Sequence, residues 1–363
     1  MPNDAINLDY YAPRFRVEIG GETISMDGIV SVEVDENLEN PAMFTINFNE
    51  TLDPRTQRFA WMDNEVLTPG AEVKIYMGYT SRPTPSPEPI FWGSLHTLSP
   101  AFANSGVPSL SVQGYDYSHG LQKKKSHFAR TNVRSSDAAA EIARLNGLDA
   151  SGVDSTDTVH ASIRQSEDES DSDFLKRLAR DIGFEVFVRG RSLYFRRPDD
   201  ETTELLTFEW LKSIISFTPR LSTSTQVSEV QVRGWNPSTK ERIEGRATVG
   251  DLKALSGGTS GAEQVQEASG EPVTLSIEDR PIHSQEEANA LARAELNRLN
   301  DGFITGSCEV VGTPELRMGM NVEIDRIGTR FSGRYYVKSA RHSLGDSGYR
   351  TSFEVRRNAL GNS

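Results

Sequence analysis

With a single cysteine in 363 residues, this chain cannot close an internal disulfide or build a thiolate metal cluster. Cys308 stands in the strand-like run Ser307-Cys308-Glu309-Val310-Val311, where it reads as a small buried apolar residue. No stretch reaches the roughly eighteen consecutive apolar residues of a membrane-spanning helix. The start, Met1-Pro2-Asn3-Asp4-Ala5-Ile6, lacks the basic residues and apolar stretch of a secretion signal, so folding in the cytoplasm is expected. Positive charge is in deficit: 39 Lys and Arg face 52 Asp and Glu, a net charge of −13. That balance argues against specific nucleic-acid binding or an anionic membrane surface, and favours solubility.

Catalytic signatures are equally scarce. The six histidines, His96, His119, His127, His160, His283 and His342, lack the one-turn spacing that puts two ligands on one face. Neither Gly-x-Ser-x-Gly nor a credible Cys/His arrangement occurs, and Gly257-Gly258 precedes no Gly-Lys-Ser/Thr. The acidic run from Glu167 to Asp173 is the best candidate for cation binding, yet it lacks the glycine and terminal Glu of an EF-hand loop. Ser170 with Asp173 fits helix capping instead. No catalytic, cofactor-binding or metal-binding residue is therefore assigned. Lys123-Lys124-Lys125, with Arg130 and Arg134, reads as a solvated edge.

What is present is strand periodicity. Phe15, Val17, Ile19, then Val30, Val32, Val34, then Phe44, Ile46, Phe48, then Val73, Ile75, Met77 alternate with polar residues, as a sheet with one face in a core requires. The pattern predicts an antiparallel β-barrel, closed or nearly so, over residues 1–120, interrupted by a proline-alternating loop at 82–89. From 121 to 204 the reading is a small α+β domain. Its first helix is capped by Ser135 or Ser136, with Ala138, Ile142 and Leu145 on one face and Gly147 at its end. Its second carries Leu175, Leu178 and Ile182 and ends at Gly183, before a hairpin turning at Arg189-Gly190-Arg191. Residues 205–245 plus 303–363 are assigned to a second β-barrel. Residues 246–302 are assigned to an insert with a flexible Gly/Ser loop and one helix, which opens at Ser284 with Glu287 completing a capping box. The fold class is thus α+β, mainly β, with two similar antiparallel barrels and α+β inserts.

The two barrels echo one another. Gly70-Ala71-Glu72-Val73-Lys74-Ile75 matches Gly319-Met320-Asn321-Val322-Glu323-Ile324 as Gly-x-x-Val-x-Ile, and Phe91-Trp92-Gly93 has a counterpart in Phe331-Ser332-Gly333. Three copies of a chain with two like barrels would present six similar surfaces.

These features, with Asn40-Pro41-Ala42-Met43-Phe44, the run Glu169 to Ala179, Arg233-Gly234-Trp235-Asn236-Pro237 and the closing Gly333 to His342 and Gly348-Tyr349, resemble the late-control D proteins of contractile phages. Those correspond to the hub part of VgrG proteins and of related extracellular injection systems, and the likeness extends over most of the chain. The resemblance implies a non-enzymatic homotrimeric baseplate hub that joins a hexameric inner tube protein to a threefold spike, in contact with wedge proteins. Such a hub is made in the bacterial cytoplasm and built into the particle or virion tail. Because the chain ends at Ser363, just after its last strand, a separate spike polypeptide is expected. Two other classes stay open on sequence alone. One is a tail-tip cell-wall hydrolase working through Glu167 and Asp168; the other is a receptor or carbohydrate binder using Trp61 or Trp92 as platforms.

Overall fold

Alternating hydrophobicity becomes alternating burial in the computed structural model, which describes residues 13–79, 88–198, 206–236, 240–252, 255, 257–278, 280 and 282–361. Most of the expected proline loop lies outside these residues. The first barrel-like unit contains β1 (Pro13–Ile19), β2 (Glu22–Thr23), β3 (Ile29–Asn37) and β4 (Met43–Asn49). A short hairpin, β5 (Leu52–Asp53) and β6 (Arg58–Phe59), precedes β7 (Glu72–Tyr79), β8 (Phe91–Ala101) and β9 (Ser109–Asp116). The order β3-β4-β9-β8-β7-β1-β2 curls around Val32, Val34, Phe44, Ile46, Phe48, Ile75, Leu95 and Val112. Val30, expected inside with Val32 and Val34, points outward: a bulge between Ile29 and Ser31 shifts the alternation by one residue.

The α+β unit follows with α1 (Ser118–Lys123), β10 (Ala129–Arg134), α2 (Ser135–Leu145), β11 (Asp149–Val153), β12 (Val159–Arg164), α3 (Asp171–Ile182), β13 (Glu185–Arg189) and β14 (Ser192–Arg196). Arg134, not a serine, is the cap residue of α2, because Ser135 and Ser136 already lie in its first turn and bond outside the helix. Ala138 and Ile142 are buried, whereas Leu145, expected on the same face, is half exposed at the helix end. In α3 the Ser170 hydroxyl accepts from the Asp173 amide, and Gly183 ends the helix in the left-handed region at φ 71.

Next come β15 (Leu206–Glu209) and β16 (Ile214–Leu221), then β17 (Glu229–Asn236) and β18 (Glu241–Thr248). The last two depart from the expected grouping. They form a separate sheet in the order β18-β17-β19, where β19 is Thr274–Ile277. Their apolar faces pack Val230, Val232 and Ala247 on Ala288, Leu291 and Leu296 of a helix, so a different core claims them. Ahead of β19, α4 (Gly261–Ser269), a second helix in an insert expected to hold one, begins at the end of the Gly/Ser segment 256–261 and is capped by Ser260 and Glu263. The packing helix is α5 (Gln285–Asn300); Ser284 caps it, but the Glu287 carboxylate accepts from the His283 amide instead of completing the box.

The second barrel-like unit is completed by β20 (Ile304–Val311), β21 (Asn321–Asp325), β22 (Gly333–Gly345) and β23 (Gly348–Arg357), around Phe208, Cys308, Val310, Val322, Ile324, Tyr335 and Val337. Its strand order is β15-β21-β22-β23-β20-β16; the first unit reads β1-β7-β8-β9-β4-β3. Position by position the two match, except that β15 and β21 run parallel where β1 and β7 are antiparallel.

The correspondence reaches single hydrogen bonds. Gly70 and Gly319, at φ 91 and 75, donate to Leu95 and Val337, which donate back to Ala71 and Met320. Val73 faces Gly93 as Val322 faces Tyr335, so Phe91-Trp92-Gly93 corresponds to Gly333-Arg334-Tyr335. The expected Phe-x-Gly echo is thus displaced by two residues, whereas the Gly-x-x-Val-x-Ile repeat is in register. Two bulges recur at matching places: Leu95/Thr97 against Val337/Ser339, and Ile29/Ser31 against Ile214/Ser216. Bulges re-aim strands at defined points, so sharing two of them indicates duplication of the unit itself.

Candidate assembly interface

Strand β22 belongs to both units. Residues 333–336 pair with β21, and after the bulge Ser339 to Leu344 pair with Asn37 to Val32 of β3, fusing two curled sheets into one. A buried ion pair locks this seam. Glu36 is 3% exposed, and the Arg317 guanidinium meets both its oxygens, Nε lying 2.8 Å from Oε2. Arg317 Nη2 also donates to the Ile90 carbonyl at 2.8 Å. Burial alone would raise the Glu36 pKa, but the Arg317 charge and its hydrogen bonds hold it below the ordinary carboxylate range. Beside the pair, buried His342 is fixed between the Leu316 carbonyl at Nε2 and the Tyr349 hydroxyl at Nδ1, each at 2.9 Å. With Nε2 donating, Nδ1 accepts; burial drives the His342 pKa down to about 4 and keeps the ring neutral. Tyr79 of the first unit donates to the Gly312 carbonyl of the second at 2.7 Å.

The α+β unit is keyed to both. Its hairpin turn at Gly190 lies against the Trp92 ring, where a Cβ would come within 2.9 Å of the indole. Arg191 reaches Glu72 at 3.2 Å, and Arg189 donates to the Met318 carbonyl at 3.0 Å. Glu72 is partly buried, yet bonds from Lys74, Arg191 and Tyr117 help bring its pKa down to about 2.

The residues singled out in sequence take structural posts. Asp171, from the acidic run, is fully buried and accepts from the Ser126 amide and hydroxyl, Asn146 and Gln165 at 2.7 to 2.9 Å. Glu169 pairs with Arg177, while Glu167 and Asp168 sit exposed, Asp168 against Lys125 at 3.2 Å. The basic run is likewise engaged: Lys124 caps the Leu145 carbonyl and Arg130 pairs with Glu141. Trp61 is core, 4.5 Å from Phe48 between ring centres. Cys308 is buried, which pushes its thiol up to about 12. Among the described residues no group of three or more His, Cys, Asp and Glu is placed to hold a metal, and no helix is long and apolar enough to cross a membrane.

One constellation has no sequence signal. His160 Nδ1 lies 2.7 Å from Glu287 and Nε2 3.2 Å from the Ser135 hydroxyl, the contact order of a hydrolytic triad. Ser135 is 1% exposed, however, and the next amide, Ser136, is bonded to Thr156 Oγ1 at 3.2 Å, so that donor is already used and not free to stabilise an oxyanion. The trio ties β12 and α2 to α5. Glu36 with Arg317 and His160 with Glu287 join residues far apart in sequence, and only the folded topology reveals them.

Surface that could receive partners concentrates at two strand edges. β8 pairs with β7 only through Phe91 to Ser94, which leaves the same edge open from Thr97 onward among the described residues. Among the described residues the outer edge of β16 is also without a partner strand. Phe102 and Val107 at the β8–β9 tip are each 61% exposed; Trp210, Leu211 and Ile215 beside β16 are 52%, 83% and 47% exposed.

A sequence model described as Alg8 N-terminal domain matches residues 11–346. No curated protein matches in sequence. Among solved structures, the 43 kDa tail protein of prophage MuSo2 from Shewanella oneidensis superposes with a TM-score of 0.73 at 15% identity, over 95% of this chain and 98% of that one. The tail protein of Neisseria meningitidis MC58 gives 0.69 at 12%, over 97% and 98%. The E. coli c3393 protein, a type VI secretion component with structural similarity to the T4 tail proteins gp27 and gp5, gives 0.60 at 12%, over 95% and 78%. At these identities the likeness is one of fold.

Two outcomes follow from the seam. Replacing Arg317 by Met strands a buried carboxylate and should cost about 3–5 kcal/mol in denaturant unfolding, most of it recovered when Glu36→Leu is added. His342 protonates near 6.5 when unfolded and near 4 when folded, so only the unfolded chain takes up this proton between those values, and stability drains as pH falls through that window. Asp116, whose burial raises its pKa to about 7, acts oppositely. The difference between wild type and His342→Asn therefore isolates the effect: roughly 3 kcal/mol of extra acid sensitivity in the wild type, read from unfolding curves at pH 7 and pH 4.

Proposed function

The chain belongs to the family of Alg8 N-terminal domains, and on that premise we propose that it is the baseplate hub of a contractile injection machine. In this reading it is a structural protein and not an enzyme. Three copies form a ring that meets a sixfold inner tube on one side and a threefold spike on the other, starts tube assembly and transmits thrust.

The observation that carries the reading is the duplication, with matching strand order, bulges and Gly-x-x-Val-x-Ile turns in both units. A threefold assembly of such chains offers six alike docking surfaces, which is what a hexameric tube ring needs from a trimer. The buried ion pair and the shared strand make the two units one stiff body, suited to passing load. The tail-protein and type VI folds it resembles support the same setting. The acidic residues that a glycan hydrolase would use lie on an exposed turn or in capping bonds. The hub would be made in the bacterial cytoplasm and built into the baseplate of the particle or virion tail, beside wedge proteins.

Native mass spectrometry with and without the tube subunit tests this. A trimer that captures six tube chains is expected; a chain that stays monomeric even with tube present overturns the reading.

A further inference from the structure

We propose that His96 and His119 are the two protein ligands of a divalent cation of the zinc, nickel and copper class, a metal staple that fastens α1 to β8. The site is independent of the hub reading and uses no residue of the seam between the two units.

The pair arises from topology. β8 carries Ser94 opposite Tyr115 of β9, and the bulge between Leu95 and Thr97 leaves His96 without a facing residue. The chain then leaves β9 and turns into α1, whose second residue is His119. Its ring stacks on Tyr115 at 4.6 Å between centres, with 18° between the planes. The His96 and His119 rings thereby come to 5.1 Å, centre to centre, at 67°. A zinc ion about 2.0–2.1 Å from one nitrogen of each ring, at a near-tetrahedral angle, sets the ring centres about 5 Å apart. The spacing of a chelate is therefore present in the fold itself.

The rings are also held in place for the role. His96 Nε2 lies 3.1 Å from the Ser94 hydroxyl; when that hydroxyl accepts from Nε2–H, the lone pair falls on the other ring nitrogen. An outer partner that fixes ring and tautomer is the usual companion of a metal-bound imidazole. Tyr115 restrains His119 by stacking. Burial, and after it the Lys123 charge, lowers the pKa of both rings, so each is neutral at pH 7 and holds a free lone pair.

The second unit shows that the fold does not demand these side chains. Its matching bulge, between Val337 and Ser339, holds Lys338 where the first holds His96. Arg356 follows Val355 there as Tyr115 follows Gly114, and it is paired with Asp301 at 2.9 Å. The same backbone thus stands with cations and a carboxylate in place of imidazoles, and His96 is free to serve another purpose.

The chemistry of the pair selects the ion. Imidazole nitrogens suit zinc, nickel and copper, whereas magnesium and calcium take oxygen ligands. Among the described residues no group of three or more His, Cys, Asp and Glu is placed to hold a metal, so water completes the coordination and the ion exchanges with solution.

Calorimetric titration of the full chain with zinc chloride, in a buffer that does not bind metal, tests the site. One zinc per chain is expected. His96→Gln and His119→Gln should each weaken binding at least about tenfold, because chelation makes the second nitrogen an intramolecular ligand, while the circular dichroism spectrum stays that of the wild type. Zinc should also raise the thermal unfolding midpoint of the wild type and leave that of either variant where it was. No zinc binding by the wild type overturns the proposal. So does binding that either variant retains undiminished, as a site at His160 and Glu287 would give, or a midpoint that zinc raises equally in all three proteins.

Discussion

Everything in this molecule hangs on one strand serving two sheets. β22 is long enough to finish the second unit and then pair with β3 of the first, and a bulge between Val337 and Ser339 is what changes its partner. Along that junction lie a buried Glu36–Arg317 pair and a neutral buried histidine. Buried charges are costly unless each is fully matched, and here Arg317 satisfies Glu36 and the Ile90 carbonyl together. The match exists only when both units and the 312–320 loop are in place, which makes the joint a single cooperative feature and fixes the angle between the units.

Duplication followed by divergence explains the rest. Hydrogen bonds at Gly70 and Gly319 and two pairs of bulges are kept, whereas core volume is redistributed. Phe44 packs over Gly114 in the first unit; at the corresponding places the second has Gly306 and Val355, with Phe217 filling the space. Compensating swaps of this kind preserve packing density while removing sequence similarity between the halves.

Much of this was legible in the sequence, for physical reasons. A strand with one buried face must alternate, and Val17, Phe44, Ile75 and Val355 declare themselves in that way. Caps at Ser170 and Ser284 are local chemistry, readable within four residues. Partner choice is not local: β17 and β18 alternate as barrel strands do, yet pair with β19 beneath α5. Bulges escape periodicity, so strict alternation puts Val30 inward and sets the Phe-x-Gly echo two residues off. Ser260 capping α4 was hidden by the glycines around it. Of the interface, the repeat at Gly70 and Gly319 was visible; the ion pair, the His160–Glu287 contact and the open edges needed the topology.

On the proposed function, two like units in one chain give a threefold object sixfold character. Electron-microscope class averages of the isolated ring, viewed down its axis, test it most directly. Six lobes of two alternating kinds are predicted; three lobes, a two-fold particle or an open filament would contradict it.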